Sequence, residues 1–525
     1  MSTRQFVRRL GGVRSKRPFS STSSLPLSNT SSTTTKAVAE NGGGAVGRST
    51  AANATGGGGG PGQQPPKWSG RSVFALTATA GVLGWGLAAT TLQEGPHKKH
   101  AGRVMLFDSK TPNPQYASLD EMEHAIEEIR REIKAHGEHE DIISTDPDDL
   151  HAHGYSEWST TNPDNLPVAV AYPRSTEQVS AIARICHRHG VPIIPYSGGS
   201  SLEGNFSAPY GGVSVDFAYM DRIVQFNKDD MDIVVQPSIG WQDLNAQLSS
   251  MGSGLFFPID PGPSAKIGAT LKLAVVPEET SVAVVTFPTI RDAAAAAAEV
   301  MQTGVPVAAM EIMDEVQMRV VNVGGATAPR VWAEAPTLFF KFAGTRAGVR
   351  ENVARVQGIT RGHRGGGFEF AKDEREQKLL WSARKESLWS MLALRKHGEE
   401  VWSTDVAVPF SRLADIIEVS KKEMDDLGLF ASILGHVGDG NFHESIMYNR
   451  ADPAERDKVE KCVKNMVRRA LDMEGTCTGE HSIGWGKKES LLLEVGPDTL
   501  AVMRQIKHAL DPKWIMNPGK IMDLS

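Results

Sequence analysis

Val191-Pro192-Ile193-Ile194-Pro195-Tyr196-Ser197-Gly198-Gly199-Ser200-Ser201-Leu202-Glu203-Gly204 passes from an apolar run straight into a loop of small residues. Val191 to Pro195 reads as a strand. The five residues Ser197 to Ser201 expose successive backbone N–H groups with little side-chain bulk, which lets a pyrophosphate approach the main chain closely. No helix signal follows Gly204 directly, so the loop is neither a Rossmann nor a Walker loop. Taken alone it also reads as a plain surface turn.

Working outward, Val168 to Ala171 reads as a strand and Thr176 to His189 as a helix. Val213 to Asp216 and Asp232 to Gln236 read as strands, and Trp241 to Met251 as a helix. Upstream, Met122, Ile126, Ile129 and Ile133 recur at helical spacing within Leu119 to His136, with acids toward the start and bases toward the end, matching the helix dipole.

From Ser281 the rhythm changes. Strands are expected at 282–287, 337–342, 367–370, 401–408 and 430–434, and helices at 290–303, 348–360, 374–397 and 409–427. Helices at 453–473 and 499–510 close the chain. This alternation predicts an α+β layer with helices on one side, built as two ferredoxin-like halves.

The last of those strands leads into His436-Val437-Gly438-Asp439-Gly440-Asn441-Phe442-His443, and Gly479-Glu480-His481 follows after one helix. Two glycines with Asp and Asn make a tight reversal, so the two imidazoles can face one point from either limb of a hairpin. His436, His443 and Glu480 form a three-ligand set for Zn²⁺ or Mn²⁺ that leaves positions open for a substrate. The alternative is a Gly-rich turn with surface histidines. Asp439 and Asn441 are expected to stabilise the turn or orient His436.

The chain has 525 residues and a net charge of −6, more than one core usually supports and without a basic face for nucleic acid. Cys186, Cys462 and Cys477 are odd in number and lack a C-x-x-C pair, so they read as buried thiols, with Cys477 placed near the site. The first 39 residues carry seven Lys or Arg and no acid, the composition of a mitochondrial presequence or of a basic tail. A Gly-rich linker follows. Ser72 to Leu92 then runs without a charge between Arg71 and the His97-Lys98-Lys99-His100 cluster, which predicts a membrane anchor, a buried helix being the alternative.

Three stretches, 168–176, 195–201 and 258–263, together resemble the FAD-binding domain of the vanillyl-alcohol-oxidase superfamily, the PCMH-type fold. The His436 to His443 turn, Gly479-Glu480-His481 and Met516-Asn517-Pro518-Gly519-Lys520 resemble its D-2-hydroxy-acid dehydrogenase branch, within the FAD-binding oxidoreductase/transferase type 4 family. The resemblance covers the chain from about Ser118 to its end. The composition of the N-terminal part sets a presequence at 1–40, a linker at 41–71 and an anchor at 72–92; the resemblance then implies a lead-in at 118–160, a PCMH-type FAD domain at 161–280, a cap at 281–500 and a segment at 501–525 returning to the FAD domain.

By the same resemblance Pro195, Tyr196, Ser197, Gly198, Gly199, Ser200, Ser201 and Gly204 line the FAD pyrophosphate. Pro258, Asp260, Pro261 and Gly262 lie beside the flavin, and Asn517 closes the site. Ser200 stands where some members attach flavin through a His, which implies non-covalent FAD. His481 is implied as general base, or else as a merely structural residue, and Arg384 as the carboxylate clamp; without the family Arg384 reads as a surface helical arginine. Ser403 stands where 2-hydroxyglutarate dehydrogenases of the branch carry a lysine, which implies a monocarboxylate.

The implied activity is FAD- and metal-dependent oxidation of D-lactate to pyruvate, with electrons passed to cytochrome c at the mitochondrial inner membrane on its intermembrane side. D-2-hydroxyglutarate or glycolate are the alternative substrates. One departure bears on all of this. The family continues from the segment matching Pro263 to Gly268 through a Gly/Asn-rich loop and several strands, whereas this chain passes directly from Gly268 to Ala269. The departure implies an incomplete flavin site and, as a further alternative, a catalytically impaired chain that arises from mis-splicing or as an isoform.

Overall fold

The computed structural model describes residues 115–135, 141–157, 159–259, 261–262 and 265–523. The expected presequence, linker and membrane anchor lie outside them. Among the described residues no helix is long and apolar enough to cross a membrane.

The first sheet takes the order β1-β2-β4-β3 from strands β1 (Ile143–Ser144), β2 (Ala169–Ala171), β3 (Ile193–Tyr196) and β4 (Val213–Asp216). Strands β2, β4 and β3 run parallel. Helix α1 (Leu119–Ala135) presents the predicted stripe Met122, Ile126, Ile129 and Ile133 to this sheet, and α2 (Pro147–Gly154) follows it. Helix α3 (Thr176–His189) starts where Ser175 accepts the Gln178 N–H and stops at Gly190, which adopts the left-handed conformation. Because β3 is parallel to its neighbour, it delivers Tyr196 and the Ser197 loop to the C-terminal edge of the sheet, where α/β sheets place ligands.

A second, smaller sheet has the order β5-β6-β8, from β5 (Ile223–Asn227), β6 (Asp232–Gly240) and β8 (Lys266–Lys272). Helix α4 (Trp241–Ser250) buries Leu244 and Leu248 against Ile233, Val235 and Ile239. Beside it β7 (Leu255–Phe256) pairs with β9 (Ala274–Val275). Strand β8 is an edge: Lys266, Gly268, Ala269, Thr270 and Lys272 are exposed and only Ile267 and Leu271 are half-buried. The junction Gly268-Ala269 therefore lies in a bare strand rather than inside a covered sheet.

The third sheet contains β10 (Glu279–Thr286), β11 (Ala309–Met313), β12 (Thr337–Gly344), β13 (Gly366–Phe370), β14 (Glu399–Ser403), β15 (Val406–Ala407), β16 (Phe430–Gly435) and β17 (Asn441–Asn449). Its order is β13-β10-β12-β11-β16-β17-β14, with β15 also on β17. Each expected half contributes four neighbouring strands, and the β11–β16 pairing joins them. On one face lie α5 (Ile290–Gln302), α7 (Arg346–Gly362), α10 (Phe410–Asp426) and α11 (Pro453–Asp472), over Ala283, Val285, Phe340 and Ile433. Helix α12 (Lys488–Leu510) follows them.

Helices expected on one side occupy both. Helices α6 (Glu315–Gly324) and α8 (Glu374–Lys385) cover Val282, Val284 and Phe339 on the opposite face, because β10 is apolar at alternate and intervening positions alike. The single helix expected at 374–397 breaks at Glu386 into α8 and α9 (Ser387–Ala393), where the Ser387 hydroxyl donates to the Arg384 carbonyl at 2.8 Å. The strand expected at 401–408 breaks at Thr404-Asp405 into β14 and β15, and that break supplies groups to the site.

Candidate metal and flavin site

Strand β16 ends at Gly435, His436 caps a 3-10 turn at Val437–Asp439, and Gly440 turns the chain with a φ of 75° into β17. His443 pairs with Leu434 across the hairpin. Both rings thus converge from the two limbs, as the spacing predicts, with centroids 5.4 Å apart and planes at 85°.

The carboxylate of Glu480 meets them. Its Oε1 lies 2.8 Å from His436 Nε2 and 3.1 Å from His443 Nε2, and ligand atoms of the three residues fall within 4.8 Å of one another. The two Nδ1 atoms are already committed, to a Glu311 carboxylate oxygen at 2.8 Å for His436 and to the Thr404 carbonyl at 2.9 Å for His443. Each Nε2 therefore turns to the Glu480 carboxylate, the orientation that a pair of imidazole metal ligands would need.

Charges follow this packing. Burial works against ionisation of Glu480, but hydrogen bonds from both imidazoles hold its carboxyl far below the usual range. Burial lowers the His436 imidazole, yet its bonds to Glu311 and Glu480 raise it to about 9. The His436 proton is thus held between two carboxylates.

Arg384 is not a surface arginine. Its Nε donates to Glu311 at 2.8 Å and its Nη2 lies 3.1 Å from His436 Nε2, so the outer edge of the guanidinium borders the metal position. Burial opposes ionisation of Glu311, and Arg384 and His436 bring its carboxyl below the usual range. His481 stacks on His443, with centroids 4.8 Å apart and planes at 8°. Its Nδ1 is buried and without a hydrogen-bond partner. Burial, together with the neighbouring His443, pushes this imidazole down to about 3, so it is neutral at physiological pH.

The Gly479 to His481 turn is held by a residue that sequence reasoning missed. Asp405, in the break between β14 and β15, accepts the Glu480 and His481 N–H groups at 2.9 Å each and the Thr478 hydroxyl at 2.7 Å. Burial raises its carboxyl, but His481 and Lys487 outweigh this and lower it to about 2. Lys487 Nζ lies 3.6 Å from Asp405 and 3.5 Å from the buried Glu203 at the end of the Gly-Ser loop, tying the metal side to the flavin side. Asn441 is buried against Gly479, Asp439 is exposed, and Ser403 is buried beside Thr404. The three thiols are buried and pushed up to about 12.

On the flavin side the predicted residues divide. Pro195 and Tyr196 end β3, and the loop through Ser197, Gly198, Gly199, Ser200 and Ser201 reaches the buried Gly204. The tail returns to it: Asn517 N donates to Ile193 O at 2.7 Å, Asn517 Nδ2 to Asn205 O at 3.1 Å, and Lys520 Nζ to Ser207 O at 2.7 Å. Asn517 Oδ1 is buried with no partner, which suits a ligand donor at the loop.

Pro258 and Gly262 are exposed, and a Cβ at Gly262 would meet nothing within 4 Å; Pro261 is half-buried and Asp260 lies outside the described residues. That segment lines open surface rather than a cleft. Ser197 Oγ donates to Pro237 O at 2.8 Å, and Pro237 also abuts Gly268, where an added Cβ would come within 2.2 Å of the Pro237 Cα. The bare strand β8 thus borders the loop. The pyrophosphate side fits FAD, and the side facing β8 is open.

Residues 167–272 match the FAD binding domain, and residues 276–521 match the C-terminal domain of FAD linked oxidases. The mitochondrial D-lactate dehydrogenase [cytochrome] of Kluyveromyces lactis is 38% identical over 494 residues, covering 78% of this chain and 83% of the relative. The mitochondrial enzyme of the same name from Arabidopsis thaliana is 38% identical over 449 residues, covering 73% and 78%. The 494 matched positions exceed 78% of a 525-residue chain, so the Kluyveromyces relative carries positions with no counterpart here. Among solved structures, p-cresol methylhydroxylase with substrate bound superposes with a TM-score of 0.61 at 14% identity, covering 78% of this chain and 99% of that one, which shows the PCMH-type fold. The chain belongs to the FAD-linked oxidase family that contains the mitochondrial D-lactate dehydrogenases [cytochrome], and it is an FAD-dependent oxidoreductase.

Proposed function

We propose that the chain oxidises D-lactate to pyruvate at a divalent metal, Zn²⁺ or Mn²⁺, held by His436, His443 and Glu480, and passes the electrons to cytochrome c. The observation that carries this reading is the convergence of two Nε2 atoms on one carboxylate oxygen, beside an arginine whose outer edge is free of Glu311. When bound, FAD supplies the hydride acceptor and the metal supplies a Lewis acid toward the substrate oxygens.

The remaining steps belong to the protein. Arg384 holds the substrate carboxylate through its Nη edge, a geometry that favours Arg over Lys. His481, kept neutral by burial and by the neighbouring His443, is the base that takes the hydroxyl proton. The buried Ser403 offers no cation for a second carboxylate, which favours D-lactate over D-2-hydroxyglutarate. The loop at 197–204 and Asn517 hold FAD non-covalently, Ser200 being no site for a covalent link. An anchor at 72–92 places the catalytic part at the inner membrane, facing the intermembrane space. An FAD domain at 161–280 and a cap at 281–500 belong to the same reading.

A second reading, favoured by the bare face of β8, is that the flavin side is incomplete and turnover is impaired. One preparation of the full chain separates the two. Flavin absorbance, one equivalent of metal and D-lactate-dependent cytochrome c reduction that disappears in His436→Ala support the first. Retained metal without flavin absorbance supports the second, and a chain with neither refutes both. Turnover on glycolate and D-2-hydroxyglutarate in the same assay ranks the substrates.

A further inference from the structure

We propose that Glu311 is a positioning residue that sets the spacing between the metal-holding imidazole of His436 and the carboxylate clamp Arg384. The inference rests on the metal reading above.

Glu311 lies on β11 at the seam between the two halves of the third sheet. There Ile312 pairs with Gly435 and Met313 with Leu434, so the antiparallel register carried one step further sets Glu311 across from His436. The side chain is 7% exposed, and both of its oxygens are in use. Oε1 accepts from His436 Nδ1 at 2.8 Å and Oε2 from Arg384 Nε at 2.8 Å.

The two metal-side histidines differ in how they are held. His443 is oriented by the main-chain carbonyl of Thr404, which no side-chain substitution at that position removes. At His436 Nδ1 the close partner is Glu311 at 2.8 Å, with Arg384 Nη2 farther off at 3.4 Å, and that bond keeps Nε2 directed at Glu480. The same Glu311 carboxylate fixes Arg384 by its Nε, which brings Nη2 to 3.1 Å from His436 Nε2 and leaves the outer edge of the fork free of Glu311. One buried side chain thereby sets both the tautomer of a ligand and the distance from that ligand to the group that binds the carboxylate. Partners in this position usually tune metal affinity by about 10–100-fold.

A buried ion pair that merely stabilises the sheet makes a different prediction, and Asp314 supplies the comparison. Asp314 is also buried and charged, three residues along; it caps α6 through the Gln317 N–H and pairs with Lys421 at 3.2 Å. The full chain, stripped with a chelator, is titrated calorimetrically with Zn²⁺ and with Mn²⁺ as wild type, Glu311→Gln and Asp314→Asn, and the melting temperature of each metal-free form is recorded. Glu311→Gln is expected to bind metal about 10–100-fold more weakly, while Asp314→Asn melts earlier and binds metal as the wild type does. Wild-type affinity in Glu311→Gln, or equal losses in both variants, overturns the assignment. If the wild type itself takes up neither ion, the metal reading has failed and the role of Glu311 falls with it, a result visible in the unmutated chain.

Discussion

Replacing Gly479 by Ala tests the site at its tightest point. The added carbon would lie 2.5 Å from Asn441 Nδ2, 2.7 Å from Asn441 Cγ and 2.8 Å from Asp405 Oδ1. Asn441 and Asp405 are buried, so neither has free space to retreat into. Carbon settles against heavy neighbours at about 3.5–4 Å, so the turn must move by about 1 Å. That movement pulls the Glu480 and His481 N–H groups off Asp405, where both sit at 2.9 Å, and carries the Glu480 carboxylate away from the two imidazoles. Overpacking of this kind costs about 1–3 kcal/mol, and a displacement of about 1 Å at a catalytic group costs on the order of 10²-fold in rate. Gly479→Ala is therefore expected to melt several degrees earlier, to bind Zn²⁺ or Mn²⁺ at least about tenfold more weakly and to lose nearly all D-lactate-dependent dye reduction. Metal titration and differential scanning calorimetry on the same sample read both effects. Unchanged metal affinity would refute the claim that Asp405 and Asn441 pin the turn.

Arg384→Lys keeps the charge but loses the planar fork; with charge-assisted hydrogen bonds worth about 1.5–3 kcal/mol, the KM for D-lactate should rise on the order of 10–100-fold, and an unchanged KM would remove Arg384 from the clamp. Lys487→Met leaves the buried Glu203 and Asp405 without the cation between them, a loss expected to cost about 3–5 kcal/mol in urea unfolding; near-wild-type stability would mean that the link is idle. Glu444, fully enclosed between β17 and the α10–α11 layer, has its carboxyl pushed up to about 7 by burial. The folded state thus holds that proton more tightly than the unfolded chain, so its contribution is complete below about pH 4.5 and lost as pH rises through 7, by about 3 kcal/mol at most. Glu444→Gln should become relatively more stable than wild type across that window and stay level above it, and a constant difference in melting temperature from pH 4 to 8 would count against the shift.

Legibility followed local signals. The Thr176–His189 helix is readable because its cap residues Ser175 and Gly190 flank a clean apolar period, and the hairpin of His436 and His443 because two glycines fix its turn. The segment from 304 to 336 carries no comparable signal, so strand β11 and helix α6 stay unpredicted, and Glu311 with them. A glutamate between Met310 and Ile312 announces nothing until β11 pairs with β16 and brings it across from His436. Asp405 is missed for a related reason: the sequence reads 401–408 as one strand, and only the break at Thr404-Asp405 turns that side chain toward the Gly479 turn. The departure at Gly268-Ala269 was legible only by resemblance. What the fold shows at that place is an edge strand with one face bare next to Pro237 and the Ser197 loop.

Anomalous scattering at the metal edge, from crystals of the full chain grown with Mn²⁺ or Zn²⁺, locates a divalent cation between His436, His443 and Glu480 if one binds there. One dominant peak is expected about 2.0–2.2 Å from both Nε2 atoms and from a Glu480 oxygen, with the Nδ1 contacts to Glu311 and Thr404 unchanged. A peak bound elsewhere, or none at this cluster in a crystal saturated with metal, would contradict it.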